Sequence, residues 1–321
     1  MSNPTPLVTA NGIPILYEAL GATFHLDELD SDHESGIEAA NDVIWDWFGK
    51  ELKSSFLSSA VDPAPTRRLD FEYVSTYATQ LHAPLAGDPA RQLEVNNMAK
   101  LGRDDYFVSM QGAADPEHAS PWTFDFWSEI DRVPKEGTKL PSRAVWSFTV
   151  PTDVPSEEFQ ARVLEIGAKL PVRWGTAGFT YSVNPNVSKA KAFRALYAHA
   201  RRHPGFDVRF HQKLAKTFWS KLRTISWLTF VKQGLIESPR LDEGADVQLA
   251  EVGSAICIRA GAVPARGDTN RLEVPAAYSH ADWLVRAIRK ADAADLSEGF
   301  RGPWSESAIE GWLKRFEHRF N

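Results

Sequence analysis

The sequence predicts an α+β protein, a mixed and largely antiparallel sheet, or sheets, flanked by helices in two subdomains. Three observations carry that prediction. Apolar β-rich runs recur along the chain, and several follow one another with no helix between them, which disfavours a doubly wound parallel sheet. Other segments repeat their apolar residues at three- and four-residue steps, the period of helices that bury one face. The spacer DRVPKEGTKLPS at 131–142, rich in Pro, Gly and charge, divides the chain into subdomains 1–134 and 141–321. With 321 residues, 43% of them hydrophobic, the chain is long enough for one large domain or two smaller ones.

In chain order, Ile13 to Leu26 (IPILYEALGATFHL) reads as a strand. A helix follows, with Ile37, Ala40, Ile44, Trp47 and Phe48 on its packed side and Glu38, Asp42 and Asp46 four residues apart on another. Beyond the loop VDPAPTRR, strands are predicted at Leu69 to Tyr77, Tyr106 to Gln111 and Trp122 to Ile130, with a polar, partly helical insert around Ala90 to Lys100. Ser142 to Pro151 is the next strand. A helix then starts near Asp153, with Pro155 in its first turn and Glu157 and Glu158 complementing the amino-terminal dipole. Phe159, Val163, Ile166 and Leu170 are its buried stripe, and Pro171 stops it. Arg173 to Val183 reads as a strand, followed by a helix capped by Ser188 that packs through Phe193, Leu196, Tyr197 and Ala200 and ends in the turn RRHPGFDV. Ile225 to Val231 and Ser254 to Gly261 are apolar enough for central strands. Two helices finish the chain, Tyr278 to Lys290 and a Ser305-capped helix to Phe316 whose core face is Ile309, Trp312, Leu313 and Phe316.

Charge and motifs narrow the function. A net charge of -6, from 36 basic and 42 acidic residues, gives no overall drive towards nucleic acid or an anionic membrane. One cysteine, Cys257, allows no internal disulfide, which suits a reducing compartment; within the apolar run AICI it reads as a small hydrophobe. The start MSNPTPLVTANG has neither a charged nor an apolar signal region, and no apolar run approaches the roughly 20 residues that span a bilayer. A cytoplasmic protein is expected. Gly-rich phosphate loops and the G-x-S-x-G elbow are absent, and neither Asp70 nor Asp153 is followed by the Asp/Glu-x-Lys strand of a carboxylate-lysine nuclease. His199, His203, Asp207 and His211 recur at four-residue steps, but Pro204 and Gly205 break that stripe, so solvated histidines around a helix end are expected rather than a metal site. No catalytic residue, cofactor or metal ligand is nominated, and a non-enzyme is expected.

The distribution of charge is more telling than its sum. Asp27 to Asp46 holds eight acids and no Lys or Arg, whereas Lys189 to Lys232 holds eleven basic residues and one acid, Asp207. An acidic face can steer a basic partner such as a nucleic-acid enzyme. On that reading Asp27, Glu28, Asp30, Asp32, Glu34, Glu38 and Asp42 are candidate partner-binding residues, the alternative being a plain solvated face. Trp122 and Trp304 are alternative anchors, because aromatic residues tend to dominate interface energies. The basic stretch is expected to pair within the molecule or to be solvated.

FTVP at Phe148 to Pro151, LPVRWGTAGF at Leu170 to Phe179, HPGFDV at His203 to Val208, ISWLTF at Ile225 to Phe230, the AICIRAG strand and GDTNR at Gly267 to Arg271 occur in an order and spacing that resembles the TsiV-like immunity proteins of type VI secretion systems. The likeness spans about Ser147 to Pro275. It implies a protein that binds a toxic effector encoded nearby, often of a restriction-endonuclease-like DNase class, and protects the producing cell. It supplies no catalytic residues; Gly205, Trp227, Asp268, Asn270 and Arg271 read as structural positions. Neither direct nucleic-acid binding nor a membrane is implied. Two other functions stand beside this one: an adaptor that loads an effector onto the secretion apparatus, and an uncharacterised hydrolase.

Overall fold

The computed structural model describes residues 4–27, 31–57, 60–61, 105–115, 118–129, 144–183, 189–208, 222–236, 246–289 and 303–317. The strand predicted at Leu69 to Tyr77, the insert at Ala90 to Lys100, the spacer 131–142, the Ser188 cap and His211 lie outside the described residues.

The chain runs β1 (Val8–Ala10), β2 (Ile13–Leu26), α1 (Ser31–Phe48), β3 (Ser54–Leu57), β4 (Ala60–Val61), β5 (Asp105–Gln111), β6 (Thr123–Glu129), β7 (Ala144–Val150) and α2 (Ser156–Lys169). It continues through β8 (Val172–Val183), α3 (Lys189–Arg202), β9 (Leu228–Lys232), β10 (Val247–Val252), β11 (Ala255–Ala260), α4 (Ala276–Val285) and α5 (Glu306–Leu313). All the strands join one sheet in the order β10-β11-β9-β8-β2-β7-β6-β5-β3-β4, with β1 paired to β2, and every ladder is antiparallel.

The longest strand, β2, lies at the middle. Leu16 to Leu26 pairs with Val183 to Val172 of β8 along one edge, and Leu20 to Leu26 pairs with Val150 to Ala144 of β7 along the other. β1 takes the part of that second edge that β7 leaves, reached through a hairpin at Asn11 and Gly12 with φ of 52° and 82°. Asn-Gly is the dipeptide that tolerates two left-handed residues in succession. The sequence boundary at 134/141 falls between β6 and β7, which are hydrogen-bonded neighbours, so strands from both segments share the sheet.

Helices α1 and α2 cover the sheet face that carries Phe24, Trp146, Phe148 and Phe230. Phe24 lies 5.1 Å from Phe230 and 6.0 Å from Trp146, ring to ring, and Phe159 of α2 lies 6.0 Å from Phe148. Phe159, Val163 and Ile166 are fully buried, each burial stabilising the fold by about 1.5–3 kcal/mol. Two indole hydrogen bonds also cross this face: Trp146 Nε1 donates to Asn41 Oδ1 at 2.9 Å, tying β7 to α1, and Trp47 Nε1 donates to Glu158 at 2.6 Å, tying α1 to α2. Gly36 lets the two helices close up, since a Cβ there would sit 2.4 Å from the Lys169 carbonyl oxygen. Pro155 occupies the N-cap of α2, one step before the first turn where the sequence had suggested it.

Candidate functional site

Pro204 cannot continue α3, so the helix ends at Arg202 and the HPGFDV segment crosses to β8. There the Asp207 amide donates to the Phe179 carbonyl at 2.8 Å, and Asp207 bridges Thr180 in parallel. Asp207, the lone acid of the basic stretch, is buried. One carboxylate oxygen accepts from Arg223 Nη2 at 2.6 Å, the other from Thr176 Oγ1 at 3.0 Å, and the Asp207 carbonyl accepts from Thr180 Oγ1 at 2.9 Å. Arg223 also donates to the Val208 carbonyl at 2.8 Å and stacks 5.7 Å from the Trp312 ring. Burial of the charged pair is tolerable because both ions are hydrogen-bonded on several sides.

A second polar cluster joins β2, β8, α3 and the loop after β11. His199 Nε2 lies 2.8 Å from Glu18 Oε1, and His199 Nδ1 lies 2.8 Å from the Tyr181 hydroxyl. Arg266 Nη1 reaches Glu18 Oε2 at 2.6 Å while its guanidinium covers the Phe179 ring at 4.9 Å. Burial pulls the Glu18 carboxyl upwards, but the His199 hydrogen bond and the Arg266 charge outweigh it and hold the group below its usual range. Burial, with the Glu18 carboxylate as a smaller cause, raises the Tyr181 hydroxyl well above its ordinary value. These side chains form a clasp: both imidazole nitrogens are engaged, and the phenol is buried in its protonated form. His199 is therefore not the solvated helix-end residue that the sequence suggested. Its partner Glu18 is far away in the chain, and the one sequence signal for it was a carboxylate inside the apolar run of β2.

A carboxylate whose folded pKa is depressed contributes stability that is fully present above its unfolded value and is lost as pH falls through the folded one. Glu18→Gln is thus expected to be less stable than the wild type at neutral pH, with the gap closing below about pH 4. Urea denaturation midpoints measured from pH 7 to pH 3 check this; a gap independent of pH would remove the charge from the account.

The GDTNR residues form a short turn at the end of α3. The Asp268 side chain caps it by accepting from the Asn270 amide at 3.0 Å, and the Asp268 amide donates to the Glu273 carbonyl at 2.8 Å. Arg202 grips the same carboxylate, with Nη2 at 2.9 Å, and this hydrogen bond is the main cause holding Asp268 below its usual range. His203 Nδ1 lies 2.7 Å from the Gly267 carbonyl oxygen, and the Gly205 amide donates to Arg266 at 2.8 Å. ISWLTF and AICIRAG meet nearby: Trp227 Nε1 donates to the Gly261 carbonyl at 3.0 Å, and the Ala260 amide donates to Trp227 at 2.8 Å. Five of the six sequence pieces are thus bonded to one another, LPVRWGTAGF pairing also with ISWLTF, while FTVP pairs with β2 and β6.

The acidic run is spread over two environments. Asp27, at the end of β2, is held by Arg173 at 3.2 Å and by Lys232, a structural use of the first candidate. Asp32 and Glu34 fall at the start of α1, while Glu28 and Asp30 lie outside the described residues. Further along α1, Glu38 is half-buried and Asp42 and Asp46 are exposed, on the stripe that four-residue spacing sets. Trp304 is buried against Tyr197 and Trp312, and Trp122 is half-buried against Phe48, so both serve the core. Cys257 is buried in β11 with its thiol pushed up to about 12 by burial. Among the described residues no group of three or more His, Cys, Asp or Glu could hold a metal ion, and no helix is long and apolar enough to cross a membrane.

The fold is shared with the Pseudomonas aeruginosa T6SS protein PA0821, which is 19% identical and superposes with a TM-score of 0.69 over 97% of this chain and 86% of that one. No curated protein matches the chain in sequence. Residues 64–316 match the TsiV family, described as type VI immunity for VRR-NUC. That match takes in the Asp207–Arg223 pair, the GDTNR turn and the His199, Tyr181 and Arg266 side of the clasp, while Glu18 precedes it, and the chain belongs to the TsiV family of type VI immunity proteins.

Proposed function

We propose that this protein neutralises a cognate type VI effector, a nuclease acting in the cytoplasm, by forming a stoichiometric complex with it. The observation that carries this reading is the family match over residues 64–316, whose description ties the family to VRR-NUC. Inhibition by a surface rather than catalysis is favoured by the state of the charged groups. Those that the fold gathers, around Asp207 and around Glu18, are engaged with one another. Such an inhibitor needs high affinity and slow release rather than turnover.

The acidic face of α1 is proposed as the steering part of the interface. A nuclease must present a basic groove to its substrate, and complementary charge raises association rates in a salt-dependent way. Reversing Glu34, Glu38 and Asp42 to Lys is expected to slow association about tenfold or more at low salt, with the difference shrinking as salt rises. Stopped-flow or biosensor association rates across a salt series measure this; rates equal to wild type would take the acidic face out of the interface.

The function itself is tested by co-expressing the chain with the product of the adjacent reading frame and scoring co-purification and host survival. A tight complex with rescued growth is the expected result. A complex without rescue would instead indicate an adaptor, and no complex would overturn the assignment of the partner.

A further inference from the structure

Leu272 is the most exposed large apolar side chain among the described residues, at 80%, and its backbone is left-handed, with φ of 59° and ψ of 24°. A non-glycine residue in this region is strained and persists only where its surroundings fix it. The surroundings here do so. Leu272 donates its amide to the Thr269 carbonyl at 3.1 Å, Arg271 donates to Asp268 at 3.0 Å, and Glu273 donates to Asp268 at 2.9 Å. Thr269 Oγ1 is tied to the Arg201 carbonyl at 3.1 Å, and Asp268 is clamped by Arg202. The fold thus holds a strained leucine out into water on a rigid turn.

The charge around this turn is opposite to that of the whole chain. Arg271 is 72% exposed, and Arg202 and Arg266 are about half exposed. Arg201 is exposed too, and its backbone anchors the turn. Of the carboxylates here, Asp268 is bonded by Arg202 and Arg271 and Glu18 by Arg266, while Glu273 beside Leu272 is exposed, so these four arginines face three carboxylates. In a chain of net charge -6 this corner is cationic. An apolar tip with an arginine beside it, already ordered before docking, has the chemistry of an interface anchor and loses little entropy on binding.

We propose that the turn from Gly267 to Glu273 is a second docking element, a hook that seats Leu272 in an apolar pocket rimmed by carboxylates on the cognate effector. This rests on the immunity reading above. With the acidic face of α1 it gives the inhibitor two poles of opposite charge, which fix the orientation of the complex as well as its affinity.

Leu272→Gly separates docking from folding, since glycine takes a positive φ without strain. The thermal midpoint of this variant is expected to equal or exceed that of the wild type, while its complex with the effector dissociates at least about tenfold faster. Leu272→Asn, which also tolerates this backbone, is expected to behave alike. Arg271→Glu is expected to slow association, most at low salt. If the wild type binds the effector and both Leu272 variants dissociate at its rate, the hook is overturned while the immunity reading stands. If the wild type fails to bind, the immunity reading itself falls. Sedimentation supplies the remaining arm: a wild-type dimer that Leu272→Gly makes monomeric would place a second copy on the hook and overturn the assignment to the effector.

Discussion

Asp207→Ala is expected to lower the stability of the protein by about 3–5 kcal/mol, enough to unfold much of the population of a marginally stable chain. The cost comes from what the substitution leaves behind. Arg223 would keep its bond to the Val208 carbonyl and its stacking on Trp312, but its charge would remain buried with no counter-ion. Among the described residues Arg223 Nε has no hydrogen-bond partner, so the guanidinium has no spare acceptor there to turn to. Thr176 would lose its acceptor as well, although the Thr180 bond to the Asp207 carbonyl could survive. Replacing both charged residues by apolar ones, Asp207→Leu with Arg223→Met, is expected to recover most of the loss, because the pair contributes less than the unpaired charge costs. Denaturant unfolding of the two single variants and the double variant gives the coupling directly. A loss below about 1 kcal/mol for Asp207→Ala would mean that water replaces the carboxylate.

Gly205→Ala is expected to be nearly as damaging, for a steric reason. A Cβ at 205 would lie 1.8 Å from the Ala265 carbonyl oxygen and 2.9 Å from that of Arg266. Those atoms are backbone, so relief requires the HPGFDV turn and the loop after β11 to separate, breaking the Gly205 amide bond to Arg266. A loss of about 3 kcal/mol is expected, at the upper end for an overpacked site. The informative comparison is Gly311→Ala on the exposed side of α5, where the added methyl meets nothing within 4 Å and is expected to stabilise the helix by about 0.5–1 kcal/mol. Equal and small effects at the two positions would show that the turn can yield. If the turn does separate, the hook carrying Leu272 loses its support, so Gly205→Ala is also expected to weaken effector binding in whatever fraction remains folded.

Local pattern was enough to find most elements, because each is decided by neighbours in sequence. β2, α1, α2, β8 and the Ser305-capped α5 all follow from apolar period and end signals; Ser305 Oγ does accept from the Ala308 amide, at 3.3 Å. Short strands and a strand at the sheet edge were missed. β10 lies at the edge of the sheet, where a sequence such as VQLAEV needs to bury only part of itself. The order of strands could not be read either, since pairing of β2 with β7 and β8 is a property of residues more than a hundred positions apart. The clasp and the hook share that character: Glu18 with His199, and Arg202 with Asp268, are bonds that no spacing announces. Asp207 did stand out as one acid among eleven bases, a pattern that marks a buried counter-ion more often than it names its partner.

The placement of β2 also sets when the sheet can close. Its residues leave the ribosome ahead of β7 and β8, and neither of its long edges can be filled until Ala144–Val150 and Val172–Val183 have been made. At about 5–20 residues per second, synthesis from the end of β2 to the end of β8 takes roughly 8–30 s, and until β7 emerges β1 is the one described strand that pairs with β2. Non-local antiparallel pairing is slow to form even once the chain is complete. A chain interrupted before Val183 therefore leaves its longest strand with an open edge, and such truncated chains are expected to aggregate rather than to fold.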